Sequence, residues 1–199
     1  AAQLKPASTD VLNSLAAAWF FSGQFAQAIT AWQQVVGLAP MAQSYSNLGT
    51  AYYFNADYAK AEQMYQQALA NSADDYTIWT NLADVLDVQP ERRHEALPLY
   101  EKALALAQSN LVVDAQAPAL LSQISRLQAE LQLCDAALVT EQRVQASSQT
   151  DFYLFYDLAI ASFNCQRNEQ GRAYVDQAIS YGYPAGLIAA DPKIPHTGQ

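Results

Sequence analysis

The chain has 199 residues, 51% of them hydrophobic and only 15% charged, with a formal net charge of −9. So apolar a composition supports a sizeable core and excludes a disordered chain, while the lack of a basic stripe argues against nucleic acid as a partner. No apolar run approaches the roughly 20 residues that span a bilayer, so membrane insertion by this chain is not expected.

Taken in order, the chain repeats itself. The first helical pair is expected over 10–22 and 25–38. It carries Leu12-x2-Leu15-Ala16-x2-Trp19, then Ala28-x3-Trp32-x2-Val35, and closes at Pro40. The second pair, 42–55 and 58–71, carries Tyr45-x2-Leu48-Gly49-x2-Tyr52, then Ala61-x3-Tyr65-x2-Ala68. The third, 76–88 and 91–113, carries Trp79-x2-Leu82-Ala83-x2-Leu86, then Ala96-x3-Tyr100-x2-Ala103. A degenerate fourth, 118–131 and 134–147, carries Leu121-x2-Ile124-Ser125-x2-Gln128, then Ala137-x3-Glu141-x2-Val144. The fifth, 151–165 and 168–181, carries Phe155-x2-Leu158-Ala159-x2-Ser162, then Gly171-x3-Val175-x2-Ala178.

Spacings of three and four place the large residues on one stripe of each helix. Small residues such as Gly49, Ala61, Ala83 and Ala96 let the two helices of a pair approach closely. Aromatic residues such as Trp19, Trp32, Tyr52, Tyr65 and Tyr100 fill the seams. A single pair cannot bury its stripe, whereas a stack can. The rhythm is 33 residues from Leu15 to Leu48 and 34 from Leu48 to Leu82, but 42 from Leu82 to Ile124. The surplus near Ala107 to Ala117 keeps a helical pattern, so the second helix of the third pair is expected to be prolonged by about two turns. Pro98, past the first turn, warns of a kink or a delayed start there. The tail, with Pro184, Pro192 and Pro195, is expected to hold a short capping helix near 185–190 and then an irregular end.

This pattern resembles the tetratricopeptide repeat (TPR), whose signature is W-x2-L-G-x2-Y followed by A-x3-F and a closing proline. The resemblance runs from about Thr9 to Pro184. It implies an all-α right-handed solenoid of five helix pairs with a C-terminal cap: residues 1–8 as an extension, repeats at 9–41, 42–75, 76–117, 118–151 and 152–185, and 186–199 as cap and tail. It also implies that the first helix of each pair lines a concave groove that takes an extended peptide or a partner helix. Trp79 to Asp84, Pro90-Glu91-Arg92 and the ending Ala178 to Pro184 with Ala190-Asp191-Pro192 are similar to C-terminal TPR regions of bacterial signalling proteins. Those proteins carry a serine/threonine kinase or winged-helix domain upstream. None of the kinase motifs lies in this chain.

Within that frame one slot of the five first helices reads Ser14, Asn47, Asn81, Gln123 and Asp157, and its neighbour reads Asn13, Ser46, Thr80, Ser122 and Tyr156. Stacked, these polar side chains would form a hydrogen-bonding ladder for a peptide backbone. The alternative is that any exposed helix face is polar. Asn47 and Asn81 favour the ladder, because asparagine is a poor helix former and recurs at one slot. Further along stand Phe20, Tyr53, Asp87, Ala129 and Phe163. Aromatics there would anchor a ligand or simply pack between helices. Asp84, Asp87 and Asp157 make the groove acidic and favour a partner with lysine or arginine. Arg126 is the only basic residue among these slots, which argues against a clamp for a C-terminal carboxylate.

Catalytic chemistry has no candidate. His94 reads as a solvated turn residue and His196 lies in the tail. No zinc, calcium or phosphate-cradling motif occurs, and no cofactor is implied. Asp74-Asp75 reads as a helix cap. Cys134 and Cys165 fall near adjacent helix-pair turns. They admit a disulfide if their Cα atoms lie within about 7 Å, the alternative being two separate buried thiols. Two functions stay open: a protein-binding scaffold, or a regulatory segment of a larger signalling protein that acts through self-association. The scarcity of charge, lysine above all, leans toward an extracytoplasmic location.

Overall fold

A computed structural model describes residues 8–111, 117–147 and 150–195. Among these residues every regular element is helical, as expected of an α-solenoid: α1 (Thr9–Phe21), α2 (Phe25–Leu38), α3 (Ala42–Phe54), α4 (Tyr58–Asn71), α5 (Tyr76–Asp87), α6 (Arg93–Leu111), α7 (Pro118–Glu130), α8 (Cys134–Gln145), α9 (Phe152–Asn164), α10 (Asn168–Ser180) and α11 (Ala185–Ala190). The chain divides into two compact units, Ala1–Ala73 and Asp74–Gln199.

Three helices begin on side-chain caps. Ser8 accepts from the Val11 N–H, Asp75 from that of Thr77 at 2.9 Å and Asp151 from that of Tyr153 at 2.7 Å. Each cap satisfies an N–H that the helix itself leaves orphaned. Four of the five pairs then turn in the same way. Gly23, Ala56, Gln132 and Gln166 follow the first helix with φ between 58° and 76°. The next N–H reaches back five residues, as from Gln24 to the Trp19 carbonyl and from Leu133 to the Gln128 carbonyl, both at 2.8 Å. This is the Schellman arrangement. Three of its four left-handed positions carry a side chain, although glycine alone adopts that backbone without strain.

In the first unit α3 packs on α4 through Gly49. A β-carbon placed there would stand 2.9 Å from the Tyr65 ring, so only glycine admits this approach. Thr50 Oγ1 and the Tyr65 hydroxyl share a hydrogen bond of 2.9 Å. Phe20 is surrounded by Phe21, Phe25, Trp32 and Phe54, with ring centroids 5.2–5.8 Å away.

In the second unit Ala83, Leu86, Ala96, Tyr100, Ala103 and Leu104 form one core with Ile124 and Leu127. Leu121, Val144, Leu154, Leu158 and Tyr174 form the next. Each such aliphatic side chain, fully buried, contributes about 1.5–3 kcal/mol. Helix α6 has 19 residues against 12–14 in the other second helices, which is the prolongation expected from the 42-residue interval. The expected end at Val112 and Val113 lies outside the described residues. The helix runs through Pro98 but starts at Arg93 instead of residue 91. Pro98 and His94 are both exposed, so the carbonyl that loses its intrahelical donor can face water. Cys134, opening α8, and Cys165, closing α9, are joined by a disulfide with a Cα separation of 5.6 Å, which decides between the two alternatives above.

Candidate functional site

Asp84 on α5 and Arg126 on α7 occupy equivalent slots of two first helices and meet in a buried ion pair. Arg126 also stands 3.5 Å from Asp157 on α9 and 3.9 Å from Glu130 one turn along its own helix. Its guanidinium lies over the Tyr156 ring at 5.7 Å. Ser122 donates to Asp157 at 3.1 Å, and the Tyr100 hydroxyl donates to Asp84 at 2.7 Å. Burial pushes the Asp157 carboxyl up to about 6, although Arg126 and Ser122 oppose the shift. One guanidinium serves three carboxylates, and Asp84 takes its shortest contact. Burial likewise pushes Glu130 up, against the pull of Lys193.

The chain's own tail completes this cluster. Beyond α11 the buried Asp191 accepts from the Tyr156 hydroxyl, and its other oxygen accepts from the Lys193 N–H at 2.9 Å. The Ile194 N–H closes the turn on the Asp191 carbonyl at 3.1 Å. Tyr183 stacks on Tyr156 with centroids 5.0 Å apart. The turn sends Lys193 inward until its side chain is only 5% exposed. Its ammonium donates to Asp87 at 2.7 Å, Glu130 at 2.9 Å and the Tyr100 hydroxyl at 3.0 Å, with Asp84 at 3.7 Å. Burial alone would lower the Lys193 pKa, but Glu130, Asp84 and Asp87 outweigh it and hold the group charged well above the usual lysine range.

The sequence-selected residues therefore separate. Asp84, Asp87, Arg126, Tyr156 and Asp157 are brought together, and Ser122 joins them. Asn81 and Gln123 lie half-buried one position away from Thr80 and Ser122, and the Gln123 Oε1 is buried without a hydrogen-bond partner among the described residues. In the first unit Ser14 is exposed and donates to the Asp10 carbonyl at 2.9 Å. Asn47 is half-buried and accepts from Gln43 at 2.7 Å. Asn13 Oδ1 is buried with no partner among the described residues. Tyr53 is buried against Phe54 and Tyr58.

One correction follows. Ser46, Thr80 and Ser122, expected on an exposed polar face, are all buried. Short hydroxyls are tolerated there because each can return its proton to the preceding turn, as Thr80 does to the Tyr76 carbonyl at 2.9 Å. Of the two readings of Phe20 and Phe163, packing between helices is the one observed, with Phe163 lying against Gly171.

Glu130, Asp191 and Lys193 were missed. Glu130 sits at a helix end and reads as a solvated charge. Lys193 follows Asp191-Pro192 in a stretch expected to be irregular. The one available signal was opposite charge at equivalent slots, Asp84 against Arg126.

Residues 41–70 match the tetratricopeptide repeat. The TPR protein TTC0263 of Thermus thermophilus superposes with a TM-score of 0.64 at 14% identity, over 92% of this chain and 98% of that one. At that identity the likeness establishes a shared fold. A tetratricopeptide repeat protein from Parabacteroides merdae aligns with a TM-score of 0.48 at 11% identity, over 96% of this chain and 86% of that one. YrrB, described as a TPR protein with an unusual peptide-binding site, aligns at 0.45 and 19% identity, over 90% and 89%. Among curated proteins, none matches the chain in sequence.

Proposed function

We propose that this chain is a protein-binding scaffold whose first helices present a polar face to a peptide or partner protein. The TPR fold supports the reading. Carrying it are two buried acceptors without partners among the described residues, Asn13 Oδ1 and Gln123 Oε1, both at ladder slots of first helices. A buried unsatisfied acceptor costs about 1–3 kcal/mol. Both side chains are only half-buried, so turning the amide outward would let a peptide N–H remove that cost, and a ligand at Asn47 or Asn81 would use the same side-chain chemistry. The carboxylates at Asp84, Asp87 and Asp157, which Arg126 and Lys193 engage within the chain, favour a basic partner that competes for them. The Cys134–Cys165 bond supports residence in an oxidising compartment, in line with the extracytoplasmic lean. No helix among the described residues is long and apolar enough to cross a membrane.

Selection of a random peptide library on the intact chain tests the scaffold. Enriched peptides are expected to carry lysine or arginine. Each should bind at least tenfold more weakly to Asn47→Ala or Asn81→Ala, with helical content unchanged. No enrichment, or binding indifferent to both substitutions, removes the reading.

A further inference from the structure

The charged face of the second unit is already occupied by a piece of the same chain. Among the described residues Lys193 supplies the only ammonium to Asp84, Asp87 and Glu130, and the Tyr100 ring lies 5.4 Å below it. Arg126 cannot replace it, because that guanidinium is committed to Asp84 and Asp157, while the exposed Arg93 reaches only Asp87, at 3.2 Å. The Arg126 Nε is nonetheless buried without a hydrogen bond among the described residues. The lysine arrives on a short lever. Residues 191–195 follow the six-residue helix α11 and are held by the Asx-type turn on Asp191, by the hydrogen bond from the Tyr156 hydroxyl to that buried carboxylate and by the buried Ile194. Acceptors and an aromatic face arranged around a single ammonium, carried on a five-residue segment beyond the last helix, make a recognition pocket with its ligand tethered in place.

We propose that this pocket reads a lysine side chain, and that Lys193 is an internal stand-in which a lysine-bearing partner segment must displace. The proposal rests on the scaffold reading and specifies its ligand: a segment with one lysine flanked by small or apolar residues, as Lys193 is by Pro192 and Ile194. An arginine fork is disfavoured, because the acceptors come from α5, α6 and α7 and converge on a point instead of lying in one plane.

The probe is the acetylated, amidated peptide of residues Ile188 to Pro195, labelled for fluorescence anisotropy, beside the same peptide with norleucine for lysine. The proteins are the full chain and its Lys193→Met variant. The variant is expected to bind the lysine peptide at least tenfold tighter than the wild-type chain, and the norleucine peptide at least tenfold more weakly than the lysine peptide. Equal binding by both proteins, or equal binding of both peptides, overturns the proposal. A response that tracks dimerisation assigns the pocket to a second copy of the chain and overturns it too.

If Lys193→Met does not fold, hydrogen exchange on the wild-type chain decides. A displaceable segment requires the Lys193 and Ile194 amides to exchange at least tenfold faster than those of α7. Exchange only with global opening makes the tail a fixed clamp and ends the proposal. Peptides that still depend on Asn47 while the lysine probe fails leave the scaffold intact, and the reverse result leaves only the pocket.

Discussion

Arg126 lies 3.5 Å from Asp157 but gives its shorter contact to Asp84. Burial pushes the Asp157 carboxyl up to about 6 from an ordinary value just below 4, and Arg126 only partly offsets that rise. Between those two values the folded chain holds a proton that the unfolded chain has lost. Its contribution to stability is fully present below about pH 4, declines as the pH rises and is gone above about 6. Asp157→Asn should abolish this slope and stabilise the chain at pH 7.5 by up to about 3 kcal/mol, since each tenfold change in proton affinity is worth about 1.4 kcal/mol. Urea denaturation at several pH values reads the difference; superimposable profiles for variant and wild type would refute it.

Removing the cation has the opposite effect. Arg126→Leu strands Asp84 and Asp157 in a buried site, and breaking such a group costs about 3–5 kcal/mol. Arg126→Lys should recover less than half of that loss, because a point charge cannot bridge two carboxylates as a planar fork does. Denaturant midpoints measure both variants.

Gly49→Ala sets two magnitudes against each other. Alanine is worth about 1 kcal/mol more than glycine in a helix interior. Against it stands a 2.9 Å approach to the ring of Tyr65, which is 2% exposed and tied to Thr50 through its hydroxyl. Overpacking of this kind costs about 1–3 kcal/mol, so a net loss of about 1 kcal/mol is expected. In a Tyr65→Leu background the same alanine should be neutral or stabilising. A double-mutant cycle with no coupling would refute the close approach.

Ala56 and Gln132 hold the left-handed backbone at φ 58° and 59°. Ala56→Gly and Gln132→Gly should each raise stability by about 1 kcal/mol despite glycine's larger unfolded-state entropy, since the strain relieved is about 1–2 kcal/mol. Thermal melts of the single variants check this, and a fall in Tm for both would count against it.

The disulfide spans 31 positions. Replacing both cysteines by serine, or reducing the wild-type chain, should cost about 3–4 kcal/mol on the loop-entropy estimate. Equal denaturant midpoints with and without reductant would show that the bond is absent or without effect.

The helices were legible because their stripes obey a local rule. Leu48, Leu82 and Leu158 had to be buried wherever the chain went, and the surplus before Ile124 could be absorbed by lengthening α6. The candidate site was legible only in part. Asp84, Arg126 and Asp157 were visible as groove residues, but their mutual pairing depends on how α5, α7 and α9 stand together, which no single helix specifies. Lys193 was out of reach for another reason. Its position follows from the local Asp191 turn and from the Tyr156–Asp191 hydrogen bond and the Tyr156–Tyr183 stack, contacts between residues far apart in the chain that leave no periodic trace. The left-handed turns at Ala56, Gln132 and Gln166 were hidden because none of them is a glycine.

The bridge between Cys134 and Cys165 also governs how the second unit would respond to force. Pulled from its two ends, an oxidised chain cannot release the segment inside the loop, which withholds about 100 Å of extended backbone at roughly 3.4 Å per residue. α8 and α9 would stay off the line of tension, and the force would pass directly from one sulfur to the other. Oxidation would thus make this stretch of the chain a short link of low extensibility.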